Sequence, residues 1–198
     1  MCLLFETIRI ESGVPRHIWW HEQRMNHARK EIWKSCDAVS LGREISVPPE
    51  HSTGVVKCNI KYGADIQHVN FSVYEKRIIR SLKMVGSGEI DYHLKYSDRS
   101  LLENLFMLRG LSDEIIVILN GLVTDTSMSN LIFFDGEKWF TPAIPLLKGT
   151  CRNRLLAEGK IIEKDIRVEN IRSYTGCKLI NAMRDPDEEL LIPVSEIS

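Results

Sequence analysis

The chain has 198 residues, 43% of them apolar, enough for one large domain or two small ones. Its 26 basic and 27 acidic residues nearly cancel, and no Lys/Arg block stands out, which argues against a nucleic-acid partner. The N-terminal residues meet Glu6 and Arg9 at once, without a signal-peptide pattern, and the longest apolar stretch, Ile115 to Leu119, is far short of a membrane span. A cytoplasmic protein without a membrane partner is the expectation. Cys2, Cys36, Cys58, Cys151 and Cys177 are scattered and form no CxxC pair, so they read as reduced thiols with no metal role.

In chain order, Leu3 to Ile10 mixes apolar and β-branched residues and runs to Gly13, predicting a strand and a turn. From His17 to Cys36, Ile18, Met25, Ala28, Ile32 and Trp33 recur at helical spacing. Arg24, His27, Arg29, Lys30 and Lys34 fill the other faces, giving an amphipathic helix with a cationic outer side. Pro48-Pro49 breaks the chain. Val55 to Tyr62 and Val69 to Tyr74 then read as strands joined around Gly63-Ala64-Asp65.

Gly86-Ser87-Gly88 is the candidate linker. Beyond it, Ser97-Asp98 caps a helix bearing Leu101, Leu102, Leu105 and Leu108, ended by Gly110. Glu114 to Leu119 suits a strand buried on both faces, and Leu131 to Phe134 and Lys138 to Thr141 flank the hairpin signal Asp135-Gly136. Gly149 precedes a helix from Arg152 to Glu158, Ile166 to Val168 and Leu190 to Ile192 suggest late strands, and Asp185 to Glu189 reads as a solvated loop. The sum is an α/β (α+β) chain with a small N-terminal domain, residues 1–86, and a larger C-terminal domain, residues 89–198.

Three places stand out chemically. Lys95 follows the candidate linker and precedes Arg99 by four residues; a lysine partly desolvated beside a cation has a depressed pKa and is nucleophilic at neutral pH. Asp125, in Gly121 to Asn130, is one carboxylate set between two apolar strands, where an unpaired charge is costly and a cationic partner is wanted. Gly149-Thr150-Cys151-Arg152 leads into a helix whose first N–H groups can face an anion. Each signal has an ordinary alternative: a solvated lysine, a polar hairpin, a plain helix start.

Taken in order, these segments resemble the class IV aminotransferase family. Phe5-Glu6-Thr7-Ile8-Arg9 is similar to its early strand, and His21-Glu22-Gln23-Arg24-Met25 to its H-x-x-R-L helix. Gly121 to Asn130 is similar to G-x-V-x-E-x-x-x-x-N, while Lys138 to Pro142 and Gly149 to Arg152 resemble its T-P and G-I-T-R segments. Asn181-Ala182-Met183 and the Lys95/Arg99 pair look most like the 4-amino-4-deoxychorismate lyase branch.

The resemblance implies a two-domain, D-amino acid aminotransferase-like fold with a shortened N-terminal domain, a homodimer, and pyridoxal 5′-phosphate as cofactor. It implies that Lys95 is the Schiff-base lysine and that Arg24 and the amides of Thr150 and Cys151 bind phosphate. By the same token Asp125 pairs with the pyridine nitrogen, Met128 and Asn130 lie near the phosphate, and Arg99, Asn181 and Ala182 line the substrate side. Lyase activity releasing pyruvate and 4-aminobenzoate from a small amine substrate is expected; an amino acid aminotransferase and a non-catalytic member are the alternatives. Departures from the pattern are Asp125 in place of glutamate and Cys151 in place of threonine. The segment before Phe5 is missing, as is a glycine- and arginine-rich loop after the strand at Val55 to Tyr62.

Overall fold

Alternation decides the first element. In the computed structural model, which describes residues 3–34 and 37–198, strand β1 (Leu4–Glu11) buries Leu4, Glu6, Ile8 and Ile10 on one face. Ser12 and Gly13, with φ of 50° and 77°, make a two-residue turn of the kind that matches strand twist, returning the chain as β2 (Val14–Pro15). Helix α1 (Ile18–Trp33) turns His21, Met25, Ala28 and Arg29 inward, and the short α2 (Leu41–Glu44) adds Leu41 to the same core.

Strand β3 (Val55–Tyr62) pairs antiparallel along the whole of β1, from Leu4 opposite Tyr62 to Glu11 opposite Val55, and β4 (Ile66–Val73) closes the order β2-β1-β3-β4. The buried side chains of β1, β3, α1 and α2 form one apolar cluster, each large member contributing roughly 1.5–3 kcal/mol. Arg29 departs from the expected cationic outer side of α1. It is buried because carbonyls reach it: Nε donates to Ala64 O at 2.7 Å and Nη1 to Asp37 O at 2.6 Å.

The chain divides into two compact units, residues 1–76 with 94–98, and residues 77–93 with 99–198. The division thus falls ahead of Gly86-Ser87-Gly88, and Gly86 is the last residue of a strand. The excursion at 94–98 returns to the first unit through backbone bonds: Phe5 N donates to Lys95 O at 3.0 Å and Ser97 N to Leu3 O at 2.8 Å. Lys95 is thereby fastened beside the start of β1.

In the second unit, β5 (Leu82–Gly86) runs parallel to β6 (Glu114–Leu119), with α3 (Ser100–Met107) in the connection and β7 (Leu122–Val123) hairpinned on β6. A five-stranded sheet collects β8 (Asn130–Phe134), β9 (Trp139–Pro142), β10 (Ile162–Lys164), β11 (Gly176–Ile180) and β12 (Ile192–Pro193) in the order β10-β9-β8-β11-β12. Helix α4 (Thr150–Ala157) follows Gly149. Leu82, Ile116, Val123, Leu131, Phe133, Cys177 and Leu179 share one core, so both sheets of this unit pack on common apolar ground.

The late elements differ from expectation. At Ile166 to Val168 the pairing shrinks to one bridge, Arg167 opposite Leu122, with Val123 N donating to Ile166 O at 2.8 Å, before the 3-10 segment Val168–Ser173; the longer strand is Ile162–Lys164, whose side chains are exposed and carry no alternating signal. The segment Asp185 to Glu189 is not simply solvated: Asp185 accepts from Arg154 at 2.8 Å, and Glu189 meets the buried Arg184 at 2.7 Å. The described side chains of Cys58, Cys151 and Cys177 are free buried thiols, while Cys2 and Cys36 lie outside the described residues. Among the described residues no helix is long and apolar enough to cross a membrane.

Candidate active site

The expected residues fall into two groups, each organised within its own unit. Arg24 and Lys95 belong to the first; Arg99, Asp125, Met128, Asn130, Thr150, Cys151, Asn181 and Ala182 belong to the second.

The first group is built on Glu6, which pattern reading passes over. Positions 4, 6, 8 and 10 of β1 face the core, and Glu6 is the only charged residue among them. Its burial is made tolerable by three donors. Arg24, one turn beyond His21 on α1, gives Nε to Oε1 at 2.8 Å and Nη2 to Oε2 at 2.5 Å, a bidentate pair; His21 Nδ1 lies 2.7 Å from Oε2. Burial alone would raise the Glu6 pKa, but the Arg24 charge and the hydrogen bonds from His21 and Arg24 outweigh it and bring it down to about 2. Burial holds His21 below its ordinary value against the pull of Glu6, with the Arg24 and Lys95 charges acting in the same direction as burial. The ring is therefore neutral near pH 7 and donates from Nδ1.

Arg24 is thus held by an acid on the core side of its own helix. Lys95, half-buried, carries its ammonium 4.5 Å from the centre of the Phe5 ring, on the outward neighbour of Glu6 along β1.

The second group is organised around a loop. Asp125 leaves the β6–β7 hairpin with its backbone still paired, since Val117 N donates to Asp125 O at 2.7 Å. Thr126 then folds the chain back: its Oγ1 accepts from Ser129 N at 2.9 Å and Met128 N at 3.2 Å. Arg99 Nη2 holds this loop through Ser127 O at 2.6 Å, and Asn181 Nδ2 through Ser129 Oγ at 2.8 Å and Met128 O at 3.3 Å. Two residues expected on the substrate side therefore converge on the Thr126–Asn130 loop. Ala182 sits in the adjoining turn, between the bridged Asn181 and Arg184.

Asp125 is buried. Asn130 Nδ2 donates to its Oδ1 at 2.7 Å, and Leu147 N donates to its Oδ2 at 2.9 Å. Both are neutral donors. Burial pushes its pKa up to about 6, and the bonds from Leu147 and Asn130 with the more distant Arg152 charge only moderate the rise. Arg152 itself is spent on Glu163 at 2.7 Å and Pro142 O at 2.9 Å.

Two residues after Leu147, Gly149 caps α4 without a side-chain acceptor, leaving first-turn N–H groups of Thr150 and Cys151 to face an anion. The Cys151 thiol contributes nothing there. It lies 3.8 Å from Arg154 Nη2 on its own helix, and burial pushes its pKa up to about 11. Within the second unit the donor set fits pyridoxal phosphate: an acid desolvated without a full cationic partner suits a protonated ring nitrogen, and the uncapped first-turn amides suit a phosphate.

Comparison with known proteins agrees. The family model for amino-transferase class IV matches residues 93–197, and this chain belongs to that family. An uncharacterised protein of Haemophilus influenzae is 43% identical over 182 residues, covering 91% of this chain and 97% of its own. A crystal structure from Haemophilus somnus 129pt, named "putative 4-amino-4-deoxychorismate lyase", is 37% identical with a TM-score of 0.87, over 93% of this chain and 98% of that one. A hypothetical aminotransferase from Mycobacterium tuberculosis, solved in a PLP-bound form, shares the fold at 16% identity and a TM-score of 0.76, over 99% of this chain and 81% of that one. The α+β architecture expected from the sequence is the architecture of this family.

Proposed function

We propose that this chain is a pyridoxal 5′-phosphate enzyme of lyase type, converting 4-amino-4-deoxychorismate to pyruvate and 4-aminobenzoate. The observation that carries the reading is Asp125: a buried carboxylate whose direct partners are all neutral, matched to a ligand that brings a cation. The relative at 37% identity supports the lyase, as do Arg99 four residues after Lys95 and Asn181-Ala182-Met183.

When bound, pyridoxal phosphate supplies a ring that takes up negative charge from the substrate carbon bearing the amine. Lys95 would supply the primary amine that holds the group, and its Nζ would serve as base for the proton on the amine-bearing carbon. Asp125 would offer the ring nitrogen an anionic partner. Arg24 of the first unit and the amides of Thr150 and Cys151 of the second would be the holders of the phosphate, each charge-assisted bond contributing roughly 1.5–3 kcal/mol. Arg99 and Asn181 act on the substrate side through the Ser127–Ser129 backbone they hold.

The test is to supply purified protein, loaded with pyridoxal phosphate, with aminodeoxychorismate and no keto acid. Stoichiometric pyruvate is expected. Absence of pyruvate together with amine transfer to an added keto acid would make the chain an aminotransferase instead.

A further inference from the structure

Pyridoxal phosphate, on the reading above, must be gripped at two ends, the ring nitrogen and the phosphate, and the second unit holds a residue for each. We propose that Asn130 is a positioning residue that fastens Asp125 to the Leu147–Thr150 turn, making the ring acid and the phosphate turn one rigid piece. The proposal rests on the cofactor reading but concerns a part that reading leaves open.

The geometry is a closed loop of hydrogen bonds. Asn130, the first residue of β8, is buried, and its Nδ2 has two hydrogens: one goes to Asp125 Oδ1 at 2.7 Å, the other to Leu147 O at 2.8 Å. Leu147 N completes the circuit to Asp125 Oδ2 at 2.9 Å. The Leu147 peptide N–H and the Asn130 side-chain amide thus each hold one carboxylate oxygen. Both amide hydrogens are committed, so Asn130 has no N–H left for a phosphate. The orientation is fixed as well, since a flipped amide would aim its oxygen at two acceptors.

Gly149 points to the same arrangement independently. Its φ of −65° and ψ of 149° are open to any residue, so backbone conformation does not require glycine here. Space does. A Cβ at this position would overlap Asn130 Oδ1 and press on Cγ at 3.2 Å, while most other glycines of the chain have open room. The helix cap that presents amides to an anion is therefore packed directly on the amide that holds the ring acid.

The charge that acts on Asp125 is that of Arg152 on α4, already paired with Glu163; Asn130 and the peptide groups of Leu146 and Leu147 act on it as neutral donors. Removing the Asn130 bond takes away a contact that favours the charged carboxylate, and the turn carrying Leu147 N loses its anchor at the same stroke.

Two readouts on wild type, Asn130→Ala, Gly149→Ala and the double variant test this. The first is the titration of Asp125 followed by carbon-13 NMR in the protein without cofactor. The second is pyridoxal phosphate affinity at pH 7.5. Asn130→Ala should move the titration upward by about one unit and weaken affinity about tenfold or more. Gly149→Ala, which keeps Asn130 in the chain, should move both in the same direction, and the double variant should be no worse than the more severe single one. An unmoved titration in Asn130→Ala, or additive losses in the double variant, overturns the proposal while leaving the cofactor reading intact. Wild-type protein that takes up no pyridoxal phosphate at all overturns both.

Discussion

Glu6 and Asp125 are buried carboxylates, one in each group of the candidate site, and they are driven in opposite directions. Glu6 sits on the core face of β1 and is held near pKa 2; Asp125 sits at the end of the β6–β7 hairpin and is held near 6. Burial raises both. Glu6 is met by a bidentate guanidinium, whereas Asp125 is met by an amide and a peptide N–H. Depth therefore does not decide the role of a buried acid; the charge of its partner does. Glu6 is internally satisfied and belongs to the scaffold that orients Arg24. Asp125 is held in place but not neutralised, which is the condition of a group that receives a cationic ligand.

The sharpest way to break the comparison is to remove each charge in turn. Glu6→Gln leaves Arg24 without its acid and should destabilise the protein by about 3–5 kcal/mol at pH 7. Because the Glu6 pKa is lowered from 4.5 to about 2, its contribution is complete above pH 4.5 and is lost as pH falls toward 2. Urea midpoints of the variant and wild type should accordingly converge in that window. Convergence as pH rises instead would contradict the assignment.

Asp125→Asn should do the reverse in the protein without cofactor. The Asp125 pKa is raised from 3.8 to about 6, so wild type is fully stable below pH 4 and loses stability as pH rises through 6. Between those limits wild type should lose something on the order of 3 kcal/mol, at about 1.4 kcal/mol per unit, while the variant, whose new NH2 must face one of the two donors that hold the carboxylate, should start lower and stay flat with pH. With pyridoxal phosphate present wild type should gain the more, since only it offers the ring a counter-charge. A wild-type stability that runs parallel to the variant's from pH 4 to 7 without cofactor would mean that Asp125 is already neutralised within the protein.

Arg99→Ala is expected to act on a smaller scale. Losing the bond to Ser127 O should raise KM about tenfold, a cost of about 1.4 kcal/mol, with little change in pyridoxal phosphate affinity. Equal losses in both would place Arg99 with the cofactor. Smallest of all, Cys151→Ala should leave cofactor affinity within about twofold, because the Sγ faces Arg154 and only the backbone serves the turn.

How far the sequence foretells this depends on which groups do the work. Asp125 is legible as one acid between two apolar strands, and the hairpin at Asp135-Gly136 as a turn that glycine completes at φ 106°. Glu6 carries a signal too, a charge in phase with Leu4, Ile8 and Ile10, but it reads as strand filler until the Arg24 pairing is seen. Other parts leave no mark in residue types. Leu147 holds Asp125 through its peptide N–H, which any residue but proline supplies. The return of Lys95 to β1 is a backbone pairing across ninety residues of sequence, roughly the whole of the first unit and more. Strand β11, an inner strand flanked by β8 and β12, is a five-residue run with Lys178 at its centre and escapes both strand templates.

The most direct test of the whole account is chemical trapping. Wild-type protein incubated with pyridoxal phosphate, reduced with borohydride and digested should yield one pyridoxyl-bearing peptide, modified at Lys95, and Lys95→Ala should yield none. A pyridoxyl group on any other lysine, or no trapped group with cofactor in excess, would contradict it.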